Sequence, residues 1–189
     1  MNAPLSAKQR NRNRALLVGI VVIFLGSALV AGLLRFSGWR PSAMKNHGEL
    51  LQPPGDLREV QPALIDGGTY AWNPAERDWR ILVAPPADCG EPCVALSRDL
   101  DIVWQLFGHR ADKVHTLWLG TPPDGAVRNP SWRVLADTPA LRAGLPRADD
   151  PAGVPVYVVD PNGFVILRYA PGFDPAHLRE DVNRLLKLK

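Results

Sequence analysis

Two cysteines, Cys89 and Cys93, are the only ones in the chain. They follow an apolar run, Ile81–Ala84, and two prolines, and a helical pattern begins after them. This order predicts a strand, a turn and a helix whose first turn carries thiols, where the helix dipole stabilises a thiolate. Such a pair could exchange disulfides or grip a soft ion such as Cu(I).

The spacing of the pair limits its geometry. Residues i and i+4 of a regular helix have Cβ atoms about 5–6 Å apart, whereas a disulfide needs roughly 3.5–4.5 Å. A bridge therefore requires Cys89 to precede the helix, and Pro92 near the first helical position is compatible with that. A disulfide between residues so close in sequence closes a very short loop and stabilises the fold little, which favours redox or metal chemistry over a structural cross-link. Two inert, buried thiols are the alternative.

Within the pair, position favours Cys89 as the attacking thiol, because it lies nearer the turn, and Cys93 as the resolving thiol. Asp88 and Glu91 stand beside the thiols. Their negative charge raises the pKa expected for a neighbouring thiol and opposes the effect of the helix end.

Positive charge is concentrated at the N-terminus. Four of the 22 Lys and Arg residues precede residue 15, and the first acidic residue is Glu49. The rest of the chain therefore has 18 basic and 19 acidic residues, a net charge of −1. This balance does not indicate the basic face of a nucleic-acid-binding domain, and no nucleic acid is expected as a partner.

Ala15–Leu34 is an uncharged stretch of 20 residues, which as a helix spans roughly 30 Å, the thickness of a bilayer core. We expect a transmembrane helix; a signal peptide cleaved near Ala31 is the alternative, although its apolar core would be shorter. The positive-inside rule makes residues 1–14 a cytoplasmic tail. The expected location is a bacterial-type inner membrane, with a single span and a periplasmic domain whose cysteines face an oxidising compartment.

Residues 35–62 are predicted to form a linker and extended arm, and residues 63–189 a single domain. Weak strands are expected at 57–65 and 69–72 around the turn Asp66–Gly68. Alternating strands and helices that end in a hairpin and a helix predict an α/β three-layer sandwich with a mixed sheet. The expected strands are 79–84, 114–119, 132–136 and both sides of Asp160–Gly163; the expected helices are 94–107, 138–145 and 175–188, the last capped by Asp174.

This organisation resembles the thioredoxin-like superfamily from about Trp79 to Leu186. The resemblance rests on the strand entering the Cys89/Cys93 turn and on the tract Gly153–Gly163. In that superfamily a cis-proline begins the strand beside the cysteines, and Pro155 stands at the matching position. The resemblance therefore implies a cis bond at Pro155 and a place for this residue in the catalytic site with Cys89 and Cys93.

The C-x-x-x-C spacing behind one anchor is similar to the SCO/SenC family. Those proteins are tethered assembly factors for the copper centre of cytochrome c oxidase. They hold copper on two cysteines and a histidine, and some act as thiol–disulfide reductants. The resemblance implies an oxidase subunit or another copper-assembly protein as partner, with Cys89 and Cys93 as conditional copper ligands.

The chain departs from this family at the histidine. Counting back from Tyr157, the family's histidine would fall near Ala152, and the nearest histidine in sequence is His177. For all four histidines, including His109 and His115, exposure or local hydrogen bonding is the expectation. The alternative is that His47, together with Met44, reaches a copper site from the arm.

Three functions follow from these observations. We favour a membrane-tethered thiol–disulfide factor in oxidase copper-centre assembly, with thiol reduction ranked above copper carriage because Ala152 replaces the histidine. The alternatives are a non-catalytic interaction module with the same fold and a general periplasmic thiol–disulfide oxidoreductase.

Overall fold

The structure, a computed structural model, describes residues 7–37 and 45–188. Contacts divide the chain into two compact units, Met1–Lys45 and Asn46–Lys189. Among the described residues of the first unit, one helix, α1, spans Ala7–Phe36 and is long and apolar enough to cross a membrane. It begins before the predicted span because Lys, Arg and Gln in the preceding tail are good helix formers. Met44 lies outside the described residues.

The second unit is built on one mixed sheet of six strands in the order β1-β6-β5-β2-β3-β4. Strands β2, β3 and β4 are parallel, whereas β5, β6 and β1 continue the sheet antiparallel. The mixed sheet expected from the sequence is confirmed. The strand bounds are β1 Glu49–Asp56, β2 Trp79–Val83, β3 Val114–Leu119, β4 Trp132–Leu135, β5 Val156–Val159 and β6 Phe164–Tyr169.

Helices and loops cover both faces of the sheet. On one face, α2 and α4 pack over a core that includes Ile81 and Val83, and on the other, α3 and the segment before β2 cover Leu82. This alternation follows from the two-residue period of a strand and gives the expected three layers. The helices are α2 Glu91–Gln105, α3 Pro139–Ala143 and α4 Pro175–Leu185, with a 3-10 helix at Gly108–Lys113.

Two helix starts agree with their sequence signals. Asp174 caps α4 by accepting a hydrogen bond from the Ala176 N–H at 2.8 Å, and Thr138 accepts one from the Leu141 N–H at 3.3 Å. Pro139 and Pro175 each occupy the first helical position. There a missing N–H costs nothing, since that donor has no partner within the helix.

The second unit begins at Asn46, earlier than the boundary at residue 63 expected from the sequence. Strand β1 pairs with β6, with Leu50 opposite Leu167 and, after a bulge, Gly55 opposite Val165. The buried carboxylate of Asp181 on α4 accepts hydrogen bonds from the His47 N–H at 2.7 Å and the Gly48 N–H at 2.9 Å. Much of the expected arm is therefore an edge strand of the sheet.

The strands expected at 57–65 and 69–72 do not form. A single bridge joins Ala63 and Thr69, and another joins Leu64 to Leu135 on β4. The turn itself is present, with Gly67 and Gly68 at φ values of 104° and 84°, which glycine adopts without strain. Pro62 has no N–H for a longer ladder. Side-chain contacts fix this segment instead, as described below for Tyr70.

Candidate redox site

Cys89 and Cys93 form a disulfide, with their Cα atoms 5.7 Å apart. Gly90 is the N-cap of α2 and Glu91 its first residue, so Pro92 occupies the second helical position. Cys89 therefore precedes the helix and Cys93 lies in its first turn, as the spacing argument required. The helix begins three residues before the start predicted at Val94, because Glu91 and Pro92 add no apolar residue to the periodic pattern; Pro92 near the first helical position is compatible with the earlier start.

The two sulfur-bearing residues differ in exposure. Cys93 is fully buried in the core between α2 and the sheet, whereas Cys89 is half-buried. The Cys89 N–H donates to the carbonyl of Pro86 at 3.3 Å, which ties Cys89 to the turn that leaves β2. An incoming thiol or disulfide would therefore meet Cys89 first.

A cavity of about 350 Å³ opens beside the disulfide. We call it the disulfide groove. Its walls are two loops, residues 85–89 after β2 and residues 121–124 after β3, and Cys93 and Trp118 complete it. Because β2 and β3 are parallel neighbours, the loops that follow them leave the same edge of the sheet. The sequence predicted the turn after β2 that forms the first wall, but not that the loop after β3 lies beside it.

Two exposed carboxylates lie at the groove. Asp124 lies in its wall, and Asp88 is exposed next to Cys89. Glu91 lies 3.6 Å from Arg98, so its charge is partly balanced. Pro92 has no N–H, and the N–H groups of Cys93 and Val94 donate to the Gly90 carbonyl at 3.0 and 3.2 Å. The helix dipole favours a thiolate after reduction, whereas Asp88 and Asp124 oppose it.

Pro155 is buried and immediately precedes β5, whose Val156 pairs with Val83 at the end of β2 that leads to the cysteines. The position implied by the resemblance is therefore occupied by this proline. The Val154–Pro155 bond is trans, however, which corrects the expected cis form; among the described residues, the cis bond is Gln52–Pro53. A trans bond is the intrinsic preference of X–Pro, by about 0.5–1 kcal/mol.

None of the four histidines, all of which the structure describes, lines the disulfide groove. The rings of His47 and His177 stack at 4.1 Å, and His47 Nε2 lies 3.1 Å from Glu180 Oε2. His109 is exposed in the 3-10 helix. Ala152, in the loop before β5, shares a cavity with Pro92 of the thiol helix. Within residues 7–37 and 45–188, no group of three His, Cys, Asp or Glu side chains could hold a metal ion.

The fourth histidine belongs to a polar network that the sequence did not indicate. Tyr70 Oη lies 2.6 Å from His115 Nδ1 and accepts a hydrogen bond from Arg80 Nε at 2.9 Å. Arg80 is almost completely buried on β2 and also donates to the Asp160 carbonyl at 3.0 Å. Burial lowers the pKa of His115 and raises that of Tyr70. The network fixes the 63–72 segment to the sheet at the ends of β2 and β3 remote from the disulfide.

Solved structures share this fold at low sequence identity. BsSco, a member of the Sco family of cytochrome c oxidase assembly proteins, superposes with a TM-score of 0.53 and 13% identity, covering 75% of this chain and 98% of its own. Yeast Sco1 with copper bound superposes with a TM-score of 0.52 and 14% identity, covering 79% of this chain and 95% of its own. Trgpx in its apo form superposes with a TM-score of 0.51 and 12% identity, covering 70% of this chain and 96% of its own. At these identities the likeness shows a common fold.

Comparison with curated proteins finds no match. A family model does match, over residues 79–189, and it covers β2 to α4 together with both cysteines. Since the match spans more than half of the chain, the protein belongs to the family described as transmembrane-like, thioredoxin-like, C-terminal domain.

Proposed function

We propose that this protein is a membrane-anchored, periplasmic thiol–disulfide factor that prepares the copper-ligating cysteines of a cytochrome c oxidase subunit. The observation that carries the proposal is the Cys89–Cys93 pair, closed across a helix start beside a groove, with Cys89 half-buried and Cys93 fully buried. The shared fold of Sco proteins, one of them named as an oxidase assembly family member and another solved with copper, supports the link to the oxidase.

The reaction is a two-step exchange. The Cys89 thiolate of the reduced protein attacks one sulfur of a client disulfide, forming a Cys89–client mixed disulfide and releasing the first client thiolate. The Cys93 thiolate then attacks the Cys89 sulfur and releases the second client thiolate. The client gains two electrons, and the protein is left with the Cys89–Cys93 disulfide. An exported dithiol protein must supply two electrons to return it to the reduced form.

Thiol exchange ranks above copper carriage because of the donors present. Two thiolates suit soft Cu(I), but among the described residues no third ligand joins them. A copper site completed by a histidine, as the family resemblance implies, does not fit this set of residues. We therefore derive no step through copper.

A reductase assay tests the chemistry. The full-length chain in detergent is reduced, freed of reductant and mixed with a synthetic peptide that contains one intramolecular disulfide. We expect one peptide reduced per Cys89–Cys93 disulfide formed, as counted by mass spectrometry. Cys93→Ser should accumulate the mixed disulfide at Cys89, and Cys89→Ser should reduce no peptide. A folded wild-type protein that reduces none would support the interaction module instead.

The oxidase link needs a separate test in cells lacking this protein. Oxidase activity and copper content should fall and return with the wild-type chain but not with Cys89→Ser. Normal oxidase activity in cells that accumulate oxidised periplasmic thiols would contradict the link and favour a general oxidoreductase.

A further inference from the structure

We infer that the segment recognised in the disulfide groove is cationic: an extended stretch of the client with a Lys or Arg next to the cysteine that exchanges with Cys89. The inference rests on the proposed thiol exchange and adds the chemical class of the client. It depends on the composition of the groove walls, which neither the family nor the exchange reaction specifies.

The groove offers many hydrogen-bond acceptors and few donors. Four of its ten lining residues are the prolines of the pairs 85–86 and 122–123. Proline has a carbonyl but no N–H, so these wall positions cannot donate hydrogen bonds. The carbonyls of Pro85, Pro86 and Pro123 each accept one hydrogen bond within the protein and keep a second lone pair. The groove therefore suits a ligand that brings its own donors, as the side chains of lysine and arginine do.

Unbalanced carboxylates lie at the same place. Asp124 is exposed in the wall, and Asp88 is exposed between two wall residues, Ala87 and Cys89. Of the neighbouring cations, Arg98 lies against Glu91, and Arg142 donates to the Pro85 carbonyl but is paired with Asp137 and Asp149. Arg128 lines an adjoining cavity that shares Thr121 and Pro122 with the groove. The negative potential beside Cys89 would attract a cationic segment and repel an acidic one, with an effect on association that salt screens.

Three disulfide peptides of equal length test the inference, with two lysines, two glutamines or two glutamates flanking the reactive cysteine. The second-order rate constant for reduction by the full-length chain is measured for each at low salt and at about 0.5 M salt. We expect the lysine peptide to react about tenfold faster than the glutamine peptide at low salt. The glutamate peptide should be slowest, and high salt should bring the rates together.

The variants Asp88→Asn and Asp124→Asn identify the source of the preference. Each should reduce the lysine-to-glutamine rate ratio several-fold, whereas Asp112→Asn, in the exposed part of the 3-10 helix, should leave it unchanged. The ratio is the readout because a changed thiolate fraction at Cys89 affects all three peptides equally. Equal rates for the three peptides would overturn the inference while leaving the exchange reaction intact; reduction of none would overturn the exchange itself.

Discussion

Cys89 is half-buried and Cys93 is fully buried, although a disulfide joins them and only three residues separate them. The difference arises because α2 starts between them. Cys89 belongs to the turn that leaves β2, whereas Cys93 belongs to the helical turn that packs against Ile81 and Val83. One structural boundary therefore separates an accessible sulfur from a protected one.

This asymmetry predicts unequal thiol reactivity in the reduced protein. Each single variant leaves one thiol: Cys89 in Cys93→Ser and Cys93 in Cys89→Ser. The Cys89 thiol should react with iodoacetamide at least about tenfold faster than the Cys93 thiol, because a buried thiol reacts only when the structure opens locally. Alkylation followed by mass spectrometry measures both rates. Equal rates in two folded variants would contradict the assignment of Cys89 as the attacking thiol.

Ala152 provides a test of the missing copper ligand. It is exposed in the loop before β5 and lines the same cavity as Pro92, which precedes Cys93. We expect Ala152→His to bind Cu(I) at least about tenfold more tightly than the wild type, since an imidazole would join two soft thiolates. Competition with a Cu(I) chelator under anaerobic conditions gives the affinities, and Ala152→Gln is the control. Wild-type binding as tight as that of Ala152→His would return copper carriage to first place.

The described part of the chain shows which features local sequence can predict. Strand β3, Val114–Leu119, has the bounds expected from its apolar run, because the run of apolar residues in a buried strand is itself the sequence signal for the strand. Strand β1 was missed, since Pro53, Pro54 and Gly55 interrupt its alternation and only pairing with β6 makes it a strand. The cysteine pair was predicted from a motif, whereas the groove beside it requires loops from two strands that meet only in the sheet.

Asp181 on α4 holds the start of the second unit, residues 47 and 48, in place. Its carboxylate accepts hydrogen bonds from the N–H groups of His47 and Gly48 and from Tyr169 Oη at 2.7 Å. Asp181→Ala would leave these donors unsatisfied and should lower the free energy of unfolding by about 1–3 kcal/mol. Urea denaturation measures the change, and limited proteolysis near residue 47 should become faster.

Glu180→Ala is the matched control for that experiment. Glu180 neighbours Asp181 on α4, but its contacts with Arg184 and His47 are solvent-exposed. Exposed ion pairs contribute about 0–1 kcal/mol, so this variant should stay close to the wild type. A loss as large as that of Asp181→Ala would mean that the buried hydrogen bonds are not the cause.

Alkaline pH should unfold the protein. The pKa of each of the three tyrosines, Tyr70, Tyr157 and Tyr169, is raised above its ordinary value of 10.0, mainly by burial. Above about pH 10 the unfolded chain loses these protons while the folded chain retains them, so stability is complete below that pH and falls as the pH rises. Phenolate absorbance should therefore appear together with loss of the far-ultraviolet circular dichroism signal. Phenolate formation in the folded protein near pH 10 would contradict this.

The reduction potential of the Cys89–Cys93 pair tests the central claim most directly. The full-length chain in detergent is equilibrated with thiol–disulfide buffers of known potential, quenched with acid and alkylated, and its free thiols are counted by mass spectrometry. The proposed exchange predicts one reversible two-electron transition, lost in Cys89→Ser and in Cys93→Ser, at a potential above about −300 mV, where exchange-active pairs lie. A disulfide that is reduced only below this value, or only on unfolding, would be a structural bridge and would contradict the account.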